Sequence, residues 1–293
     1  MGWDISSLVA KALTLMAMVS IVGGFFCMYL VVKSGSQVRL YLINYIKIGA
    51  LVGVIASSLY FFIQVGAFSQ TGLKGMFDLT MITILAQSGL GYASLNRVIA
   101  FTLVLAPISY KAKGYPKTEI TYGFFSVFLI VISGLLIAYS FSQIGHVAEL
   151  QIGARFAIGF HVLAISLWIG SLFPLFYLCK VEEIARLQKI MQRFGELAIV
   201  FVAVLILSGL YLLLQLLESP IELISTPYGI TLILKLAGVS ALLFLGALNK
   251  MRLVPNLKNN IGVSNLKRSI QYEIYVAFVV LIITAYLTTL IGI

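Results

Sequence analysis

The sequence predicts an all-α polytopic membrane protein with eight transmembrane helices, arranged as two parallel four-helix repeats. Three observations lead there. Apolar runs of about 20 residues, the length that crosses a bilayer, recur along the whole chain. The composition is 61% hydrophobic and 10% charged, with a mean hydropathy of +1.06, which excludes a soluble globular class. The few basic residues gather in alternate connections. A β-barrel is excluded because the apolar runs are uninterrupted, whereas barrel strands alternate in segments of about ten residues.

The spans read in order as 7–32, 41–67, 92–111, 119–142, 155–179, 194–217, 228–250 and 269–291. The first is taken as a helix and not as a cleavable signal, because Asp4 precedes it, no basic segment leads it, and its apolar run to Val32 is too long for a signal core. Between spans two and three, the stretch Asp78–Ala86 is expected to lie along the membrane interface, and Glu218–Pro227 is its counterpart between spans six and seven. Thr226-Pro227 opens the seventh span with proline at the first helical position. Of the 20 Lys and Arg residues, 15 fall in connections after odd-numbered spans or, like Lys47, Lys111 and Lys250, in the adjoining ends of the spans. Lys11, Lys74 and Arg155 are counted on the opposite side. The positive-inside rule makes the odd-numbered connections cytoplasmic and both termini periplasmic, in a bacterial inner membrane. The net charge of +10 is thereby a topological signal, and no nucleic-acid partner is expected; lipid is the surroundings. Cys27 and Cys179 sit near helix ends without a CxxC pattern, so buried free thiols are expected.

An internal repeat supports the two-part division. Ser57-Ser58-Leu59-Tyr60-Phe61-Phe62-Ile63-Gln64 matches Ser208-Gly209-Leu210-Tyr211-Leu212-Leu213-Leu214-Gln215 as SxLYxxxQ. Lys47-Ile48-Gly49 precedes the first copy as Arg193-Phe194-Gly195 precedes the second. In the following spans Gly91 with Arg97 parallels Gly229 with Lys235. Halves with an even number of spans run in the same direction, so the expected domains are 1–145 and 146–293, with a pathway between them.

The residues able to carry chemistry are few. His161 lies about two turns into the fifth span, and Trp168 follows on the same face at a spacing of roughly 10 Å. An imidazole in hydrocarbon is costly unless it binds or pairs. It is either a metal ligand or a structural ring bonded to a facing carbonyl. His146, the only other histidine, immediately precedes that span. Imidazole nitrogens suit copper, zinc, iron and nickel, with affinity peaking at copper. The two could hold Cu(I), or Cu(II) with an added oxygen ligand such as Glu149, or act as separate stations. Met16 and Met18, with Met28, offer thioethers from the first span, although packing is the commoner use of such residues. Arg97 and Lys235 are intramembrane charges, expected to snorkel to the outer headgroups or to pair with Asp78, Glu218 or Glu222. No nucleotide-binding loop and no Ser/His/Asp arrangement occurs, so the chain is not expected to be an enzyme.

Several pieces of the second half resemble the copper resistance protein D family. They are His161-Val162-Leu163-Ala164 leading to Trp168-Ile169-Gly170, Arg193-Phe194, Ser208-Gly209-Leu210-Tyr211, Thr226-Pro227-Tyr228-Gly229 with Leu232 and Lys235, Leu248-Asn249 with Pro255, and Leu266-Lys267-Arg268-Ser269 with Glu273. The resemblance implies an inner-membrane protein that handles copper, as Cu(I) or Cu(II), usually as an importer. It further implies a separate periplasmic copper-binding partner of the CopC type, and makes His146 and His161 the natural metal candidates. The alternative class is a haem-bearing electron-transfer protein with the two histidines as axial ligands, or a metal-free factor assisting assembly of copper proteins. The fifteen-residue separation of the histidines disfavours paired axial ligation.

Overall fold

A computed structural model describes residues 2–32, 34–112, 124–145, 148–217 and 219–291. They are helical almost throughout, with no strand among them. In order the helices are α1 (Gly2–Leu30), α2 (Ser36–Ser69), α3 (Leu79–Ala86), α4 (Gly89–Ala112), α5 (Phe124–Ser140), α6 (Ile152–Val181), α7 (Ile184–Leu216), α8 (Glu222–Ser225), α9 (Pro227–Leu248) and α10 (Asn260–Tyr286). Short 3₁₀ segments cover Gly72–Phe77 and Phe141–Gln143, and π-helical turns extend α9 through Leu253 and α10 through Ile291. Seven of the helices are long and apolar enough to cross a membrane, and α5 is a shorter apolar one among the described residues. The chain is therefore a multi-pass membrane protein, and the eight expected spans each fall on one of these helices. Of the sequence expectations, Lys33, Lys113, Lys117, His146 and Glu218 lie outside the described residues.

The connections after α2 and α7 contain short helices, α3 and α8. Asp78 caps α3, its Oδ1 accepting from the backbone N–H groups of Thr80 (2.9 Å) and Met81 (3.2 Å). None of α3 is buried, in keeping with a segment lying along an interface. Thr226 caps α9 by accepting from Gly229 N–H at 3.0 Å, with Pro227 at the first helical position as expected.

Burial separates central from peripheral helices. In the most apolar stretch, 67% of α6 and 61% of α1 is buried, against 17% of α7 and 6% of α9. α1 lies along both α2 and α6. α4 packs between α2 and α5 on one side, and α10 joins α9 to α6 and α1 on the other.

The α1–α6 crossing is a backbone contact. A Cβ built on Gly170 would stand 1.8 Å from the Val19 carbonyl oxygen, and one on Gly23 would stand 2.2 Å from the Gly170 carbonyl carbon. Only glycine permits this approach. Pro174 lies four residues later within α6 and has no N–H, so the Gly170 carbonyl loses its intrahelical donor. The Tyr45 hydroxyl of α2 donates to that oxygen at 3.1 Å. Tyr41, one turn away, stacks on Tyr177 of α6 with centroids 3.8 Å apart, which fixes the two helices against each other. Pro174 is thus accommodated inside one continuous helix, with the carbonyl that it leaves free satisfied by a neighbour.

Lys11, counted from sequence as an outer-side loop charge, is instead a buried residue inside α1. The apolar run simply continues on both sides of it, and α1 begins at Gly2.

Gly170→Ala is expected to destabilise the protein by about 1–3 kcal/mol through overpacking, read as a lowered thermal midpoint in detergent. Gly134→Ala on α5, where an added Cβ meets nothing within 4 Å, should leave that midpoint unchanged or slightly raised.

Candidate functional site

His161 projects from α6 towards α7. Its Nδ1 lies 3.2 Å from Ser208 Oγ. The Ser208 hydroxyl donates back to the Val204 carbonyl at 2.6 Å, and the Leu205 carbonyl lies 3.2 Å away. With its only proton committed there, Ser208 Oγ is an acceptor towards the ring. Nδ1 then carries the proton and donates, and Nε2 keeps its lone pair. The next residue, Gly209, makes room for the ring, since a Cβ there would come within 3.0 Å of His161 Cε1. Ser208-Gly209 of the repeated SxLY motif is therefore the seat of the histidine. Lys235 of α9 lies within electrostatic range of the same ring. Residues from α6 and α7 thus meet around one imidazole.

The other expected site residues fall elsewhere. Glu149 is exposed on the connection before α6. Met18 belongs to the buried core, and Met16 and Met28 pack against it, which is the packing role. Among the described residues no three of His, Cys, Asp and Glu come together as a metal-holding group. Cys27 and Cys179 are buried free thiols, as expected. Arg97 neither snorkels nor pairs with Asp78. It is buried, its Nε donating to Ser140 Oγ at 2.9 Å and its guanidinium lying over the Phe141 ring at 4.6 Å. The early ending of α5 at Ser140 folds the following turn across Arg97 and shuts it off from the headgroups.

Trp168, two turns below His161, is buried in the wall of a second feature, a cavity of about 420 Å³ between α6, α7, α9 and α10. Its lining is mostly apolar, with Phe194, Gly246 and Leu266 alongside Trp168, and with Asn249, Lys250 and Glu273 as polar members. Glu273 is the only buried acidic residue among those described. Asn249 Nδ2 donates a short hydrogen bond to Glu273 Oε1, while Asn249 Oδ1 is buried without a partner. Asn249 opens the π-helical turn 249–253, a distortion that frequently marks functional positions. Two contacts anchor that turn to α7: Lys250 Nζ donates to the Gly195 carbonyl at 3.0 Å, and Gln188 Nε2 to the Val254 carbonyl at 3.1 Å.

Sequence reasoning assigned no role to this second group. The signal was present, because Glu273 falls four residues into a predicted span, and an intramembrane acid is itself a functional pointer. Its partner Asn249 sits at a helix end where an asparagine reads as a cap.

The fold defines a polytopic helical membrane protein with polar stations inside its second half. Residues 188–287 match the family model for copper resistance protein D, so the family resemblance extends over α7, α9 and α10. That region contains Ser208, Lys235, Asn249 and Glu273, while His161 and Trp168 precede it. Neither a curated protein nor a solved structure matches the chain.

Asn249→Leu should cost about 1–3 kcal/mol by leaving the Glu273 carboxyl group without its donor. Glu273→Gln, which keeps a polar partner, should cost less, and Asn249→Leu combined with Glu273→Leu should recover much of the loss. A double-mutant cycle on detergent-solubilised protein measures this coupling.

Proposed function

We propose that the protein carries copper across a bacterial inner membrane, from periplasm to cytoplasm. The ion engages His161 near the outer side and passes along the α6–α7 face to the cavity of Asn249 and Glu273. The observation that carries this reading is the His161–Ser208 pair. A ring whose Nδ1–H is held by a fixed acceptor presents Nε2 as a ligand atom, the way metal-binding histidines are oriented in general. The family match over the helix that supplies Ser208 supports copper as the ion. His146, on the connection leading into α6, is the natural companion ligand or first station.

Both termini face the periplasm in this reading, and the Lys- and Arg-rich connections face the cytoplasm. Inward movement of one positive charge then gains about 2.3 kcal/mol per 100 mV of membrane potential, so passage needs no nucleotide. A separate periplasmic copper-binding chain of the CopC type would deliver the ion to the outer side. The protein acts as a carrier, not as an enzyme.

His161→Ala should abolish copper-dependent uptake while leaving the amount of protein in the membrane unchanged. Ser208→Ala should weaken copper binding by about 10-fold or more, because the ring loses its orienting acceptor. Uptake that survives in His161→Met, with loss in His161→Ala, would identify the ion as Cu(I), which a thioether still binds. Normal copper accumulation in the His146→Ala, His161→Ala double variant would overturn the histidine route.

Orientation has its own test. Single cysteines placed at the exposed positions Lys189 and Asn259 should react with a membrane-impermeant reagent only after the cytoplasmic face is opened. The native Cys27 and Cys179 are buried and should stay silent.

A further inference from the structure

Two of the three charged residues buried among those described are cations, and both lie in the first half. Lys11 of α1 is 5% exposed and Arg97 of α4 is 1% exposed. They are neighbours. Lys11 Nζ stands 5.2 Å from the Tyr60 ring centroid and 5.9 Å from that of Phe141, and the same Phe141 ring receives Arg97 at 4.6 Å. No acidic side chain forms an ion pair with either of them among the described residues. Aromatic faces return only part of what two desolvated like charges lose, and one ring is shared between both.

The surrounding donors are unspent. Arg97 uses Nε on Ser140, but its Nη2 is buried without a partner. Ser94 Oγ, one turn before Arg97 on α4, is buried without a partner, and so is Ser57 Oγ, one turn before Tyr60 on α2. Three helices thus bring two cations and three partnerless donor groups into one region, with Tyr60 and Phe141 as the rings against the cations.

From this arrangement we infer that the first half holds a small-anion site of the halide class, formed by Lys11 and Arg97 with the Ser57 and Ser94 hydroxyls. The enclosure favours a compact, readily desolvated monovalent anion over phosphate or a lipid headgroup, since neither cation reaches the surface. This inference rests on the first half alone and is independent of the copper reading.

The test uses the full-length protein in an uncharged detergent, with gluconate exchanged for chloride at constant ionic strength. Thermal midpoints should rise saturably, by about 3–6 °C up to roughly 100 mM chloride, and phosphate should produce no such rise. Lys11→Met, which replaces the ammonium with an apolar chain of similar length, should lose at least half of the chloride increment. Arg97→Gln should lose it as well. Chloride-35 line broadening by the folded protein gives a second readout, expected in the wild type and reduced in Lys11→Met, which decides the matter if Arg97→Gln does not fold. The inference is overturned if the wild type shows no chloride-specific rise, if phosphate raises the midpoint equally, or if Lys11→Met keeps the full increment.

Discussion

The carbonyl of Gly170 has no donor in its own helix, and the middle of the protein is arranged around that fact. Pro174 removes the N–H that would have reached it, and in a lipid surrounding no water replaces the loss. Tyr45 supplies the hydrogen bond from α2, at 3.1 Å. The same Gly170 lacks a side chain, so α1 rests directly on its backbone through Gly23. One short stretch of α6 therefore sets the spacing of three helices. Everything peripheral is placed from this centre: α4 against α2 with α5 beyond it, α7 along the other flank of α6, and α10 against α6 and α1 with α9 outside it.

Charge inside the helices is divided between the two halves. The first half buries Lys11 and Arg97, and the second buries Glu273. The penalty for taking an ion out of water is several kcal/mol even after relaxation, whereas a desolvated cation–π contact returns about 2 kcal/mol. These groups are too costly to be packing accidents. Glu273 is held by Asn249, whose turn is tied to α7 by Lys250 and Gln188. The cations have aromatic rings and one serine, and donors to spare. Among the described residues, the fully buried charges of residues 1–145 are both cations, and that of residues 146–293 is the acid Glu273.

How much of this could be read from the sequence depended on the kind of signal. Span length and the position of basic residues are one-dimensional properties, and the eight segments each fall on a helix. Thr226-Pro227 was legible as a helix start because a cap needs only its own next few residues, whereas Asp78, read as a possible partner of a buried base, turns out to cap α3. Lys11 was misread because a single lysine within twelve residues of the first methionine looks like the end of a span; only the packing of Tyr60 and Phe141 over it shows otherwise. Arg97 was misjudged for the same reason, since a residue 43 positions away, Ser140, decides where its guanidinium goes. His161 was legible as an anomaly, but its partner was not. Ser208 entered the reading as a repeat residue, and its meeting with the ring depends on the pairing of α6 with α7.

That pairing also bears on what kind of copper site the proposed route would use. A resident metal is held by several ligands at once, with affinity to match. A carrier needs each station to bind well enough to admit the ion and weakly enough to release it to the next. His161, oriented by one hydroxyl and offering one nitrogen, suits the second requirement. Lys235, within electrostatic range, disfavours a further positive charge at the ring. Below it, Glu273 adds a carboxyl group to the cavity that Asn249 and Lys250 also line. In the proposed route an ion leaving His161 would pass from a single nitrogen to a single carboxyl group, and among the described residues neither belongs to a closed ligand set.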